Sequence, residues 1–500
     1  MTVARPIKLA ILGGGPSAFY VASRLLQLLP TSHAHGEKLR VHIYDRLWAP
    51  HGLVRYGVAP DHPEVKNCTH KFDKAAEDAR FRFFGNINVS NTPSAIPHAV
   101  NVNLELLYPH YSHILMASGC TMPKLHPAIP PSLICSPALS LVHWYTQHPT
   151  LPPPPPLEKL THVTLIGHGN VSLDIARILL TEPSHLAQYD VPTHVLDKLV
   201  QSNIKHVSIV GRRGPLEASF TAKELREMMN LPTAYIVPID TDLLAKPEGR
   251  SRELTRQQTR TLDLFKKGSK NAPGSTRKSW SIDFFRSPTG ISPSPSPSSS
   301  RAHLSLAHTT LDTQSRSLPT GQTSSLSTDL VITSLGYHAS PTDAWYDPAL
   351  GHIRNVQGRV VDAAGEVMRN VYASGWAASG ARGVLASTMM NAYAVADTIL
   401  MDRFPGEGGR GLALAAGPVV PPTSVGVSNA GARELLNADP DLDLDGMPGE
   451  VEDAVKMGRV TQYGDWKRID EEEVRRGQKL GKERERMGWE EAQKFIFERT

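Results

Sequence analysis

The chain has 500 residues, 40% of them hydrophobic, and a formal net charge of +4. That length supports two or three packed cores, and a charge so near neutrality gives no ground for nucleic-acid binding. The three cysteines, Cys68, Cys120 and Cys135, form no CxxC pair, which excludes a redox dithiol and a four-cysteine metal or iron–sulfur site; free thiols and no metal are expected.

The first predicted element is an apolar run at 8–12, read as a buried parallel strand. Gly13-Gly14-Gly15-Pro16-Ser17-Ala18 follows, and then a helical stretch at 19–29. Glycines at the first places of such a turn let the backbone bend tightly and approach a pyrophosphate, while the following helix aims its free N–H groups and positive dipole end at the phosphate. The third glycine of the pattern is Ala18. A second strand at 39–45 ends in Asp45, a carboxylate suited to the ribose hydroxyls of an unphosphorylated adenosine, as in FAD or NAD.

Five consecutive prolines, Pro152 to Pro156, make a stiff extended spacer within 151–157. The arrangement then repeats. A strand at 162–166 leads into Gly167-His168-Gly169-Asn170-Val171-Ser172 and a helical stretch at 173–180. The strand at 206–210 ends in Gly211-Arg212-Arg213-Gly214. Paired guanidiniums bind a 2′-phosphate that a carboxylate would repel, so this site should prefer NADP to NAD. Two turns with different second-strand endings point to two different dinucleotides in one enzyme.

Further on, Arg250, Arg252, Arg256 and Arg260 form a basic stretch, with Arg256 and Arg260 on one face if it is helical. Residues 287–300 are low-complexity Ser/Pro and expected to be disordered. Residues 301–328 alternate enough for an antiparallel pair, and 329–337 read as a strand. A strand-like run at 371–376, a helix at about 387–403, a Gly/Pro/Ala-rich loop at 404–430 and a charged helical tail at 470–486, pinned by Trp466 and Trp489, complete the chain. No run reaches the ~20 apolar residues that a membrane-spanning helix needs; peripheral membrane contact stays open.

Several blocks resemble the adrenodoxin reductase family, the mitochondrial FAD-containing NADPH:ferredoxin oxidoreductases. The most specific is Gly52-Leu53-Val54-Arg55-Tyr56-Gly57-Val58-Ala59-Pro60-Asp61-His62-Pro63-Glu64-Val65-Lys66-Asn67. Others run from Gly169 to Leu179, Gly211 to Leu216, Lys223 to Met228, and Asp465 to Lys482. The resemblance implies an α/β fold of two doubly wound Rossmann-like nucleotide-binding domains, the NADP domain (121–335) inserted into a discontinuous FAD domain (1–120 and 336–500). It implies electron transfer from NADPH through FAD to an acidic [2Fe–2S] ferredoxin, one electron at a time, in mitochondria, in the matrix or on the matrix side of the inner membrane. The six or so residues before the first strand carry no visible import signal.

Carried over by position, the FAD site comprises Gly13, Gly15, Ser17, Ala18, Asp45, Leu53, Val89, Trp376, Gly383, Val384 and Leu385. The NADP site comprises Gly167, His168, Gly169, Asn170, Val171, Arg212, Arg213, Glu224 and the shared Gly383. His62 and Asp174 match family residues near flavin and nicotinamide, with helix and turn roles open beside a proton role. Arg256 and Arg260 are the candidate ferredoxin contacts, with a plain solvated face as the other reading. The chain departs from the family at Asp45 (usually Glu), at His168 (usually Gln) and after Trp376. There Ser379-Gly380-Ala381-Arg382-Gly383 replaces Arg-Gly-Pro-Thr-Gly. Two other functions remain open: an NADPH flavoenzyme with a quinone or other acceptor, and an inactive dinucleotide-binding scaffold.

Overall fold

In a computed structural model, residues 6–245, 253–294, 301–405 and 435–497 are described. The chain begins with strand β1 (Ile7–Leu12), helix α1 (Pro16–Leu28), β2 (Leu39–Asp45), β3 (Phe81–Gly85) and β4 (His113–Met116). All six residues of β1 are buried, the pattern of a parallel strand covered on both faces.

After β4 the chain builds a second sheet. Its parts are β5 (Cys135–Pro137), α2 (Ala138–Tyr145), β6 (His162–Ile166), α3 (Asn170–Leu180), β7 (His206–Val210), α4 (Ala222–Met229), β8 (Ala234–Ile236), α5 (Arg256–Lys267) and β9 (Lys278–Asp283). Three long strands follow, β10 (Arg286–Pro293), β11 (Ala302–Leu311) and β12 (Ser317–Thr328), before β13 (Leu330–Thr333). The chain then returns through β14 (Asn355–Val356), β15 (Arg359–Val361) and β16 (Val367–Ala373) to α6 (Leu385–Arg403), and ends in α7 (Tyr463–Lys479) and α8 (Trp489–Phe497).

The first sheet has the order β14-β15-β16-β4-β1-β2-β3, so it unites strands from both ends of the chain. The second has the order β8-β9-β7-β6-β13-β5 and is parallel throughout. Each has its own apolar core, one around Leu9, Phe19 and Ile43 and the other around Leu165, Leu173 and Trp280. In both sheets the order reverses beside a glycine turn, where the ends of adjacent strands leave a crevice for a ligand.

The expectation of disorder over 287–300 is corrected for its first part. Residues 286–293 are strand β10, paired antiparallel with β11. Pro288 is tolerated because β10 is an edge strand with a register shift between Pro288 and Gly290. Residues 295–300 lie outside the described residues, as do Arg250, Arg252 and most of 404–430. The antiparallel pair expected in 301–328 is present.

Helix α6 starts two residues before its expected place. The tail helix α7 runs from Tyr463 and stops at Lys479, where Gly481 (φ +71°) reverses the chain. Trp466 is buried and Trp489 packs beside it against Leu47, Trp48 and Tyr56. No described helix is long and apolar enough to cross a membrane. Cys68, Cys120 and Cys135 are free thiols.

Candidate active site

The first glycine turn is fixed by close packing. Gly13 has φ +108°, and a Cβ there would lie 2.5 Å from the carbonyl oxygen of Ala117; its N–H donates to the Tyr44 carbonyl at 2.7 Å. A Cβ on Gly14 would meet the Asp45 carboxylate at 2.6 Å. Gly15, which caps α1, faces open space. This is a cradle into which a phosphate can come close to the free N–H groups of α1. The loop at 51–52 folds back on the turn through the His51 N–H, which donates to the Gly14 carbonyl at 2.8 Å.

A cleft extends from this turn past Asp45 and Leu53 to Trp376 and Leu385. Asp45 is fully buried, and burial pushes its carboxyl up to about 6 despite the N–H donated by Leu47 at 3.1 Å. A buried carboxylate with unused acceptor capacity suits a pair of ribose hydroxyls. Ser17 ties the turn to the returning chain through a 2.7 Å hydrogen bond to Ser374. Ala18 is buried in the core behind the turn. The Trp376 indole N–H donates to the Arg382 carbonyl at 3.0 Å, which pins the altered 379–383 segment. Gly383 (φ +81°) and exposed Val384 lead into α6 just outside the cleft lining. Val89 sits on the short strand Ile87–Val89, also outside that lining.

Sequence reasoning missed, among other lining residues, His143, His148 and Cys120. His143 and His148 stack with ring centroids 3.7 Å apart, and burial holds both well below the ordinary histidine range. Burial also pushes Cys120 up to about 12, and its thiol donates to the Trp376 carbonyl. Neutral His143, His148 and Cys120 make this wall uncharged at neutral pH. No element was predicted near them in the sequence, which is why they were missed.

The second turn repeats the first. Gly167 (φ +128°) would place a Cβ 2.2 Å from the Ser334 carbonyl oxygen, and Gly169, which caps α3, faces open space. Asn170 accepts the Thr221 N–H at 2.9 Å. The His168 ring lies against Gly211, where any Cβ would clash at 1.9 Å, and burial lowers it to about 4. Arg212 and Arg213 stand at the end of β7, the first exposed and the second half-buried. The Arg212 carbonyl accepts hydroxyl hydrogen bonds from Thr309 and Ser317 of the β11–β12 hairpin. The hairpin thus braces the arginine loop while the two guanidiniums make no ion pair with a described residue.

The two units meet at Val171, the second residue of α3, which lines the first cleft together with Tyr337. Beside them is an ionic cluster. His62 Nε2 lies 2.7 Å from Glu227 and 3.8 Å from Glu224. Arg177 bonds Asp61 at 2.6 Å, Asp174 at 2.9 Å and Glu224 at 3.2 Å. Burial pushes Asp174 and Glu224 up. It pushes Asp61 up as well, but Arg177 outweighs it and holds that carboxyl low. For His62, burial is outweighed by Glu227, which raises it.

His62, Asp174 and Glu224 therefore come together, with ligand atoms within 4.8 Å of one another. Arg177 bridges both carboxylates and Asp61. Asp61, Arg177 and Glu227 were not singled out from sequence. The i,i+3 spacing of Asp174 with Arg177 and of Glu224 with Glu227 was the available signal. Arg256 and Arg260 are exposed on one face of α5, away from these contacts.

Two doubly wound α/β sheets, parallel around their glycine turns, one turn carboxylate-ended and one arginine-ended, define an FAD- and NADP(H)-binding oxidoreductase. No family model matches the chain. It is 34% identical over 96% of its length to NADPH:adrenodoxin oxidoreductase, mitochondrial, of Bos taurus, covering 90% of that protein. It is 30% identical to the protein of that name in Arabidopsis thaliana, with 97% and 95% of the two chains covered. The structure of Mycobacterium tuberculosis FprA in complex with NADPH is similar to this one, with a TM-score of 0.77, 29% identity, and 98% of this chain and 100% of that one covered. The chain belongs to the NADPH:adrenodoxin oxidoreductase family.

Proposed function

We propose that this enzyme passes electrons from NADPH through FAD to an acidic [2Fe–2S] ferredoxin, one at a time, in the mitochondrion, in the matrix or on the matrix side of the inner membrane. The observation that carries the reading is the meeting of the first cleft with the second glycine turn. The first turn of α3, which would hold NADPH, contributes Val171 to the wall of the cleft that would hold FAD. Bound FAD supplies acceptance of a hydride and release of single electrons.

The chain's residues do the rest. Gly13, Gly15 and Ser17 would receive the FAD pyrophosphate and Asp45 its ribose. Leu53, Trp376 and Leu385 would exclude water around the ring system, with Gly383 and Val384 at its rim. On the other side Gly167, Gly169 and Asn170 would receive the NADP pyrophosphate, with His168 packed beneath. Arg212 and Arg213 would bind the 2′-phosphate. Glu224 and Asp174, oriented by Arg177, would border the nicotinamide, and His62 would hold a proton at Nε2 shared with Glu227. The division into an FAD unit (1–120 and 336–500) around an inserted NADP unit (121–335) accompanies this reading.

Arg256 and Arg260 on the exposed face of α5 would meet the partner's carboxylates, and such contacts act mainly on encounter rate. The test is an anaerobic titration with NADPH and NADH, followed by ferredoxin reduction at rising ionic strength. Flavin bleaching at far lower NADPH than NADH is expected, with the ferredoxin step slowing in salt and the NADPH step changing less. Equal salt dependence of the two steps would remove the basic-face reading.

A further inference from the structure

Arg486 lies between α7 and α8, touches neither glycine turn, and is almost completely buried, its side chain 1% exposed. Its Nε donates to Asp190 Oδ1 at 2.7 Å and its Nη2 to Oδ2 at 2.5 Å. Nη1 donates to the carbonyl of Thr146, and Nη2 also to the carbonyl of Arg55 at 2.9 Å.

These partners come from both units. Asp190 follows α3 in the second unit, and Thr146 ends α2, whose Val142 and His143 line the first cleft. The Arg55 carbonyl belongs to the 52–57 segment, whose Leu53 and Tyr56 line the same cleft. Other bonds repeat the tie. Lys66 reaches Asp190 at 3.0 Å, and the Thr146 hydroxyl donates to the Tyr56 carbonyl at 3.1 Å. The Arg55 side chain is held by both oxygens of Glu473 on α7, which also accepts the Met487 N–H at 2.9 Å.

We propose that Arg486 is a positioning residue for hydride transfer. Through one guanidinium, the C-terminal strap fixes the second unit against the flavin-side loop and so sets the approach of nicotinamide to flavin. Hydride transfer needs reacting atoms about 3–3.5 Å apart, and a misplacement of ~1 Å costs ~100-fold in rate. A buried planar fork holding four acceptors has the rigidity for this, whereas a lysine has a point charge and a flexible stem.

The inference rests on NADPH reducing the flavin and is independent of the acceptor that follows. The test compares wild type, Arg486→Lys, Arg486→Met and Asp190→Asn as holoenzymes. The rate of flavin reduction at saturating NADPH is expected to fall at least tenfold in all three variants. Flavin content and the Kd for NADP+ should stay within threefold. The long-wavelength absorbance of NADP+ stacked on reduced flavin should weaken, a geometric readout that needs no turnover. Asp190→Asn keeps the side-chain shape and serves where Arg486→Met does not fold.

An unchanged rate per bound flavin, with only Tm or flavin content lowered, would overturn the proposal. So would full recovery in Arg486→Lys, or loss of FAD from all three variants. A wild-type flavin that NADPH fails to bleach would instead overturn the functional reading.

Discussion

Replacing Arg212 and Arg213 together by alanine should collapse the preference for NADPH over NADH. A charge-assisted hydrogen bond contributes ~1.5–3 kcal/mol. Arg212 is exposed and belongs at the low end, since salt and water screen it. Arg213 is half-buried beside His168 and belongs nearer the middle. The pair then contributes ~3–5 kcal/mol, which at ~1.4 kcal/mol per tenfold is about a hundredfold to a few thousandfold in discrimination. The assay is kcat/KM for each nucleotide, with ferricyanide as acceptor so that no protein partner intervenes. NADPH should weaken by this factor and NADH change little. The backbone of the loop is braced by Thr309 and Ser317 rather than by the guanidiniums, so the substitution should leave the fold intact. An unchanged NADPH/NADH ratio in a folded double variant would refute the assignment of the second turn.

In the apoprotein, Asp45→Asn should be stabilising at neutral pH. The folded carboxyl sits at about 6 against an ordinary 3.8, so ionised Asp45 costs the fold ~3 kcal/mol above pH 6. Because the folded value is raised, that cost fades as pH falls from 6 to 4, and the denaturant midpoints of variant and wild type should converge there. The same variant should bind FAD more weakly, measured by flavin retention on dialysis. Glu473→Ala leaves Arg55 buried without its partner, at a cost of ~3–5 kcal/mol. A urea midpoint unchanged by that substitution would show that the Arg55–Glu473 pair is not holding the tail.

Much of this architecture was legible in the sequence. The strand–glycine–helix order appears twice because a parallel strand buried on both faces must be continuously apolar, and because tight turns demand glycine. Gly13 and Gly167 have the positive φ that the pattern required. Asp45 and Arg212–Arg213 were readable because the end of the second strand is fixed relative to the turn. Strand β10 was not, since its Ser/Pro composition argues for disorder, while the pairing that orders it comes from β11, the next strand along the chain. Nor did sequence reading extend to Asp61, Arg177 and Glu227, or to the stacked His143 and His148.

The sequence by itself determined local geometry and charge: two glycine turns between strand and helix, one followed by a strand that ends in Asp45 and the other by a strand that ends in Arg212 and Arg213. Only the tertiary structure decided what faces what. His62 meets Glu227 across 165 residues, Arg177 meets Asp61 across 116, and Arg486 meets Asp190 across 296. Local pattern is set by backbone geometry over a few residues, so it is written in spacing. Contacts between units depend on how two sheets pack, and an isolated His, Asp or Arg carries no mark of the partner that packing will bring.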